Sequence, residues 1–243
     1  MPRTRVKQVV RRRDPERSRA QILSAALHCF VESGYDGASI GAIATRARVQ
    51  QSLIYHYFPS KLDLSAAVVE SEMAGPMGIC GQLLDRPPSD FNWLENLIVG
   101  WFAYMANHPE MPRLVAWEMV SRTLDRNAVL PPQAREVWTR MEQILTDMQS
   151  RGIVRPDISA RGVVFAIVAL VGYWHIGGRE MFRPDGEADA PLVEVARLRE
   201  MVGLLRSGLA GPNAGASTLL NDLSLFESGI VFPLATHELA QRP

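Results

Sequence analysis

Residues 39 to 61 constrain this 243-residue chain more than any other stretch, because their apolar spacing and stop signals fit two short helices around a tight turn. Ile40, Ile43, Ala44 and Ala47 recur at steps of three and four, which puts them on one helical face. Ser39 stands ahead of them as an N-cap, its hydroxyl placed to accept a backbone N–H of the first turn, and it follows the turn-forming run Gly34-Tyr35-Asp36-Gly37. A helix is therefore expected over 39–46. Val49, Leu53, Ile54, Tyr57 and Phe58 mark a second helical face, which Pro59-Ser60 closes while capping a further helix at Lys61. Two helices about three residues apart make a helix-turn-helix. In that motif the second helix enters the major groove of DNA and its first residues meet base edges, which nominates Gln50, Gln51 and Ser52. Gln can bond an adenine edge twice, and Ser can serve several bases.

The segment resembles the DNA-binding domain of TetR-family transcriptional regulators, whose recognition helix ends in Tyr-x-x-Phe-x-x-Lys. Here that signature is Tyr55-His56-Tyr57-Phe58-Pro59-Ser60-Lys61. The likeness extends upstream through Arg19-Ala20-Gln21-Ile22-Leu23-Ser24-Ala25-Ala26 and Phe30-Val31-Glu32-Ser33-Gly34-Tyr35, and covers residues 16 to 65. Two positions depart from the family pattern. Arg48 stands where Gly is usual, in a turn that favours a left-handed backbone, at a cost of roughly 1 kcal/mol. Gln50 stands where Ser or Thr usually caps the second helix. Arg48 is accordingly read as an added phosphate contact and Gln50 as a weak cap. The resulting DNA-contact set has Gln50, Gln51, Ser52 and Leu53 at the bases, with Leu53 against a thymine methyl. Ser39, Arg46, Arg48, Tyr55, His56, Tyr57 and Lys61 are assigned to phosphates, although packing beside Phe58 is an equal claim on Tyr57.

Charge supports the same polarity. The chain is neutral overall, with 26 basic and 26 acidic side chains. Residues 1 to 62, however, hold eleven Lys and Arg against four acids, a charge of +7 that leaves −7 for the remainder. A basic end on an acidic body suits contact with a polyanion at one end only. Residues 1–13 read as a disordered basic arm that orders on the DNA backbone and adds salt-dependent affinity. Cys29 and Cys80 support neither a disulfide framework nor a zinc site, and Cys29 falls on an apolar face as a buried thiol. No apolar leader follows the N-terminal charges, so a cytoplasmic protein is expected. His28, His56, His108, His175 and His237 are scattered, and no glycine pattern cradles phosphate. The chain is thus expected to use no metal and no cofactor and to catalyse nothing.

Beyond Lys61 the pattern is helix after helix, and the expected fold class is all-α: a three-helix head over 14–65 and a helical-bundle body over 66–209 for ligand binding and dimerisation. A helix from Lys61 to about Glu72 meets Gly75-Pro76 and Gly78, which predict a kink or a short break. Further helices are expected over 91–107, 112–122, 133–151, 157–177 and 190–209, with loops at 86–90 and 127–132. Residues 210–243 form a tail, either disordered or folded back. The apolar run Val163 to Trp174 has twelve residues against the ~20 of a membrane span, so bundle core or dimer contact is expected rather than a membrane.

The family resemblance implies that the last two bundle helices pair with their twins, so that a homodimer presents two recognition helices to a pseudo-palindromic operator. It also implies a small, largely apolar effector bound in the body. Trp101, Tyr104, Met105, Trp117, Trp138, Met141, Tyr173 and His175 are the candidate lining, with Met119, Trp174, His108 and Glu118 nearby in the pattern; ordinary core packing is the competing account of each. The expectation is a repressor released from its operator by that effector. Its rivals are an activator with the same DNA domain, a non-specific architectural binder using the basic arm, and a helical-bundle enzyme with a DNA-binding head.

Overall fold

Asp14 starts the first helix by accepting hydrogen bonds from the backbone N–H groups of Glu16 and Arg17, and Pro15 fills a first-turn position where no N–H is needed. In the computed structural model, which describes residues 14–86, 88–121, 132–182 and 190–219, this helix is α1, Pro15–Gly37. Gly34, at φ 69° and ψ 176°, breaks its regularity three residues before the end. Then come α2 (Ile40–Ala47) and α3 (Gln51–Tyr57), each within a residue or two of the expected bounds. Ile22, Ala26, Phe30, Ile43, Ile54 and Phe58 pack the three helices into one core, which also takes Leu64 and Val68 from α4 and Leu114 from α6.

Helix α4, Lys61–Leu84, does not break at Gly75-Pro76; it runs through the proline as one helix. Its first half belongs to the head core through Leu64 and Val68, and its second half to the body core through Met77, Cys80 and Leu84. The body continues with α5 (Asn92–Asn107), α6 (Glu110–Ser121), α7 (Pro132–Ser150), α8 (Ala160–Tyr173), the short α9 (Arg179–Met181) and α10 (Ala190–Leu209). Ser159 caps α8 by accepting from the Gly162 N–H at 3.1 Å. Between α8 and α9 the chain widens into a π-helical turn, Trp174–Gly178, which the periodicity did not reveal. Among the described residues the only β contact is an isolated bridge between Val154 and Ala210.

Together α8 and the π turn make 19 residues, Ala160–Gly178, longer than the twelve-residue apolar run on which the sequence expectation rested. By length and composition alone this helix suffices to cross a membrane. One side of it, Val163, Ile167, Val171 and Trp174, packs into the body core, while Phe165, Tyr173 and Ile176 on the other are exposed.

The first part of the tail folds back. Ala214 accepts a hydrogen bond from the Phe91 N–H, the Asn92 side chain bonds both Ala216 and Thr218, and Ser217 donates to buried Glu95 at 2.8 Å. The expected arm (1–13), much of the loop at 127–132 and residues 220–243 lie outside the described residues.

Candidate nucleic-acid interface

The head displays one polar helix edge on a fully packed base. Ile54 and Phe58 are buried, Leu53 and Tyr57 are half-buried against the head core, and Gln51, Ser52, Tyr55 and His56 are left exposed on α3. The period of 3.6 that buries Ile54 turns 51, 52, 55 and 56 outward together.

Two irregular positions hold the turn before this edge. Ser39 caps α2, accepting from the Ala42 N–H at 3.1 Å. Arg48 ends α2 in the left-handed conformation, φ 55° and ψ 43°, its N–H reaching the carbonyls of Ala44 and Thr45. Arg48 thus does the job of a C-terminal glycine while keeping an exposed guanidinium next to α3. Gln50 occupies the N-cap of α3 without any side-chain cap bond, as expected of a weak cap. Its exposed amide is therefore not spent on the helix.

The remaining phosphate candidates differ in how far they are already engaged. Arg46 is held by both carboxylate oxygens of Glu32, at 2.8 and 3.0 Å, and this hydrogen-bonded pairing raises the guanidinium pKa further. Tyr57 donates its hydroxyl to the Pro15 carbonyl at 3.1 Å, pinning the end of α3 to the start of α1, and its half-buried ring packs against the head core beside Phe58. The Lys61 ammonium lies 4.4 Å over the Tyr35 ring, where a cation is attracted by the ring face. Arg17 and Gln21, which the sequence reading did not nominate, line with Ser24, His28, Arg46 and Arg48 an open groove of about 560 Å³ between α1 and α2. Their spacing of 17, 21, 24 and 28 along α1 was the available signal.

Of the candidate effector residues, Trp101, Tyr104, Met105, Trp138 and Met141 belong to the body core and His175 packs on Phe102 of that core, whereas Trp117 and Tyr173 lie apart from it. Trp101 and Tyr104 stack at 6.2 Å, and His175 meets Phe102 edge-on at 4.7 Å. Met105 and Met141 are buried core and Trp138 packs partly buried against it. Trp117 instead lies against Gly34 of the head, and Tyr173 is exposed with its hydroxyl toward the Met181 sulfur. Helical period sets the face a residue occupies but not which neighbour that face meets, so one list of aromatics spreads over three locations. The side chains of Glu118 and Met119 lie outside the described residues. Burial pushes the Cys80 thiol up to about 11 and raises that of Cys29, which keeps both protonated and unreactive near neutral pH.

Known proteins share both the sequence and the architecture. The family model for bacterial regulatory proteins of the tetR family matches residues 22–68, and that of the tetracyclin repressor-like C-terminal domain matches residues 92–190. The HTH-type transcriptional repressor SCO4008 of Streptomyces coelicolor is 33% identical over 163 residues, covering 66% of this chain and 80% of that protein. The HTH-type transcriptional repressor NicS of Pseudomonas putida is 27% identical over 168 residues, covering 68% and 79%. A solved gamma-butyrolactone receptor (ArpA-like protein) shares the fold with a TM-score of 0.60 and 20% identity, over 94% of this chain and all of that one. With a head that shows a polar recognition edge on a helix-turn-helix and a helical body behind it, this chain belongs to the TetR family of DNA-binding transcriptional regulators.

Proposed function

We propose that this protein is a homodimeric repressor that grips a pseudo-palindromic operator and releases it when a small, largely apolar effector occupies the body. The observation that carries the reading is the exposed edge Gln51, Ser52, Tyr55 and His56, set on buried Ile54 and Phe58. Gln50, Gln51 and Ser52 sit at the helix start that meets base edges, and Leu53 can touch a thymine methyl with its uncovered part. Ser39, Arg48, Tyr55, His56 and Lys61 grip phosphates, and Arg17 extends that set along the α1 groove. Arg46 joins them only as part of its ion pair with Glu32. The protein acts in the cytoplasm, where its operator is.

The dimer is supported by an apolar surface that the single chain leaves open. Phe165 is 72% exposed on α8 and Leu204 66% exposed on α10, with Tyr173 and Ile176 also exposed further along the chain from the first. Large apolar side chains left exposed on both of these helices suit an interface. Replacing Phe165 and Leu204 together by Glu will convert the dimer into a folded monomer, read by sedimentation, and weaken operator binding by at least ~10-fold, because one half-site rarely suffices. A double variant that still sediments as a dimer would place the interface elsewhere.

Selection of bound fragments from genomic DNA tests the whole reading, and the expected result is an inverted repeat overlapping a promoter. Recovery of fragments without a shared motif would remove sequence-specific repression, and operators upstream of promoters would favour an activator. Within that motif, Gln51→Ala will relax base choice at one position per half-site, at a cost of about 1–3 kcal/mol. Unchanged preference across an operator library would take Gln51 out of the reading set.

A further inference from the structure

Helix α4 carries the head on its first half and lies in the body with its second, so its straightness sets how the head is held. Pro76 lies at the crossing between the two. A proline has no N–H, so the carbonyl four residues earlier receives no intrahelical bond, and the helix can bend there. That carbonyl is Glu72, and it is met from another helix: the Tyr104 hydroxyl on α5 donates to it at 3.3 Å.

The surroundings favour this contact. A Cβ on Gly75 would stand 3.3 Å from the Tyr104 oxygen and 3.6 Å from the ring, so the glycine before the proline leaves room for the phenol to approach. Tyr104 is only 6% exposed and its ring is held in a stack, 6.2 Å from Trp101 at 9° and 4.1 Å from His108 at 13°. His108 Nδ1 in turn lies 2.9 Å from the Tyr104 carbonyl. Burial, with the Glu72 and Glu110 carboxylates adding to it, pushes the hydroxyl pKa up to about 12, so it remains a donor throughout the physiological range. The Glu72 carboxyl is also raised, first by burial and then by Glu110, with His108 and His28 opposing. Side chains of α1, α4, α5 and α6 therefore face one another at this point.

We propose that Tyr104 is a positioning residue whose hydroxyl replaces the hydrogen bond that Pro76 removes from α4 and thereby fixes the angle of the DNA-binding head on the body. In the dimer that angle sets the separation of the two recognition helices. The functional arm of this inference rests on the operator-binding reading above; the structural arm does not.

Tyr104→Phe keeps the stacked ring and deletes only the donor, and Pro76→Ala restores the backbone N–H that makes the donor redundant. Hydrogen exchange on the full-length protein, read over residues 73–80, is expected to run roughly five-fold faster in Tyr104→Phe, the order of one lost hydrogen bond. The same substitution in the Pro76→Ala background is expected to change nothing. Exchange that is unaltered by Tyr104→Phe, or accelerated equally in both backgrounds, would overturn the inference. In a series of operators whose half-sites are moved apart or together by one base pair, Tyr104→Phe is expected to flatten the wild-type spacing preference severalfold, and Pro76→Ala with Tyr104→Phe to restore it. A uniform loss at every spacing would mean a merely structural tyrosine and would also overturn it. If the wild-type protein bound no operator, the repressor reading would fall while the exchange comparison still decided the Pro76 contact.

Discussion

Glu95→Ala is expected to lower the unfolding free energy by about 3–5 kcal/mol, the cost of breaking a buried ion pair by removing one partner. Glu95 is fully buried in the first turn of α5, and the guanidinium of Arg206, 14% exposed on α10, lies 2.5 Å from it. The rest of the arrangement makes the loss larger than that of one contact. Ser217 donates to the other Glu95 oxygen, Arg206 also bonds the Gly215 carbonyl, and its guanidinium sits 5.2 Å over the Phe91 ring. Removing the carboxylate strands the arginine in a low-dielectric site and deletes one of the bonds that tie the folded-back tail to α5, that from Ser217. Exposed pairs behave otherwise: Arg151 and Asp147 are 41% and 58% exposed, and Asp147→Asn should change stability by less than about 1 kcal/mol. Urea denaturation at fixed protein concentration measures both, the fixed concentration removing the contribution of dimerisation. The double replacement Glu95→Leu with Arg206→Met should recover much of the loss, since a buried pair is often matched by apolar side chains of similar size. A Glu95→Ala loss below 1 kcal/mol would show that water or a rearranged side chain already compensates the arginine.

Gly34→Val is the second large effect, at about 2–6 kcal/mol. Its φ of 69° and ψ of 176° fall in a region open essentially to glycine, which costs other residues about 1–3 kcal/mol. A Cβ there would also stand 3.0 Å from the Trp117 ring of α6, adding the roughly 1–3 kcal/mol of an overpacked contact. The two contributions can be separated. Trp117→Ala in the Gly34→Val background removes the ring but leaves the backbone strain, so about half the loss should return. Because α1 and α6 meet at this point, the variant should also weaken operator binding beyond its effect on the folded fraction. Equal stability of Gly34→Val and wild type would refute the strain argument.

The head was largely legible in the sequence because its signals are local. Ser39 and Pro59 act within four residues of themselves, and the apolar steps around Ile43 and Ile54 name the buried face directly. The left-handed backbone at Arg48 is also found, at a position that the family resemblance, not any local signal, marks out. Pro76 shows where local rules stop: they predict a kink or a short break, no break occurs, and the carbonyl left open by the proline takes its donor from Tyr104, 28 positions beyond Pro76. Similarly, nothing near Arg46 or Tyr57 in the chain announces that Glu32 and Pro15 will engage them.

By itself the sequence determined the longer helices, the capping of α2, the exposed polar edge of α3 and the basic head on an acidic body, all of which follow from period, capping and charge over short spans. Only the tertiary structure decided that residues 210–219 fold back onto buried Glu95, that α4 passes its proline unbroken, and that Trp117 and Tyr173 lie apart from the body core that holds Trp101, Tyr104 and Trp138. Those outcomes depend on which faces meet after the chain has folded. The partners involved stand up to 126 residues apart, and no local periodicity carries that information.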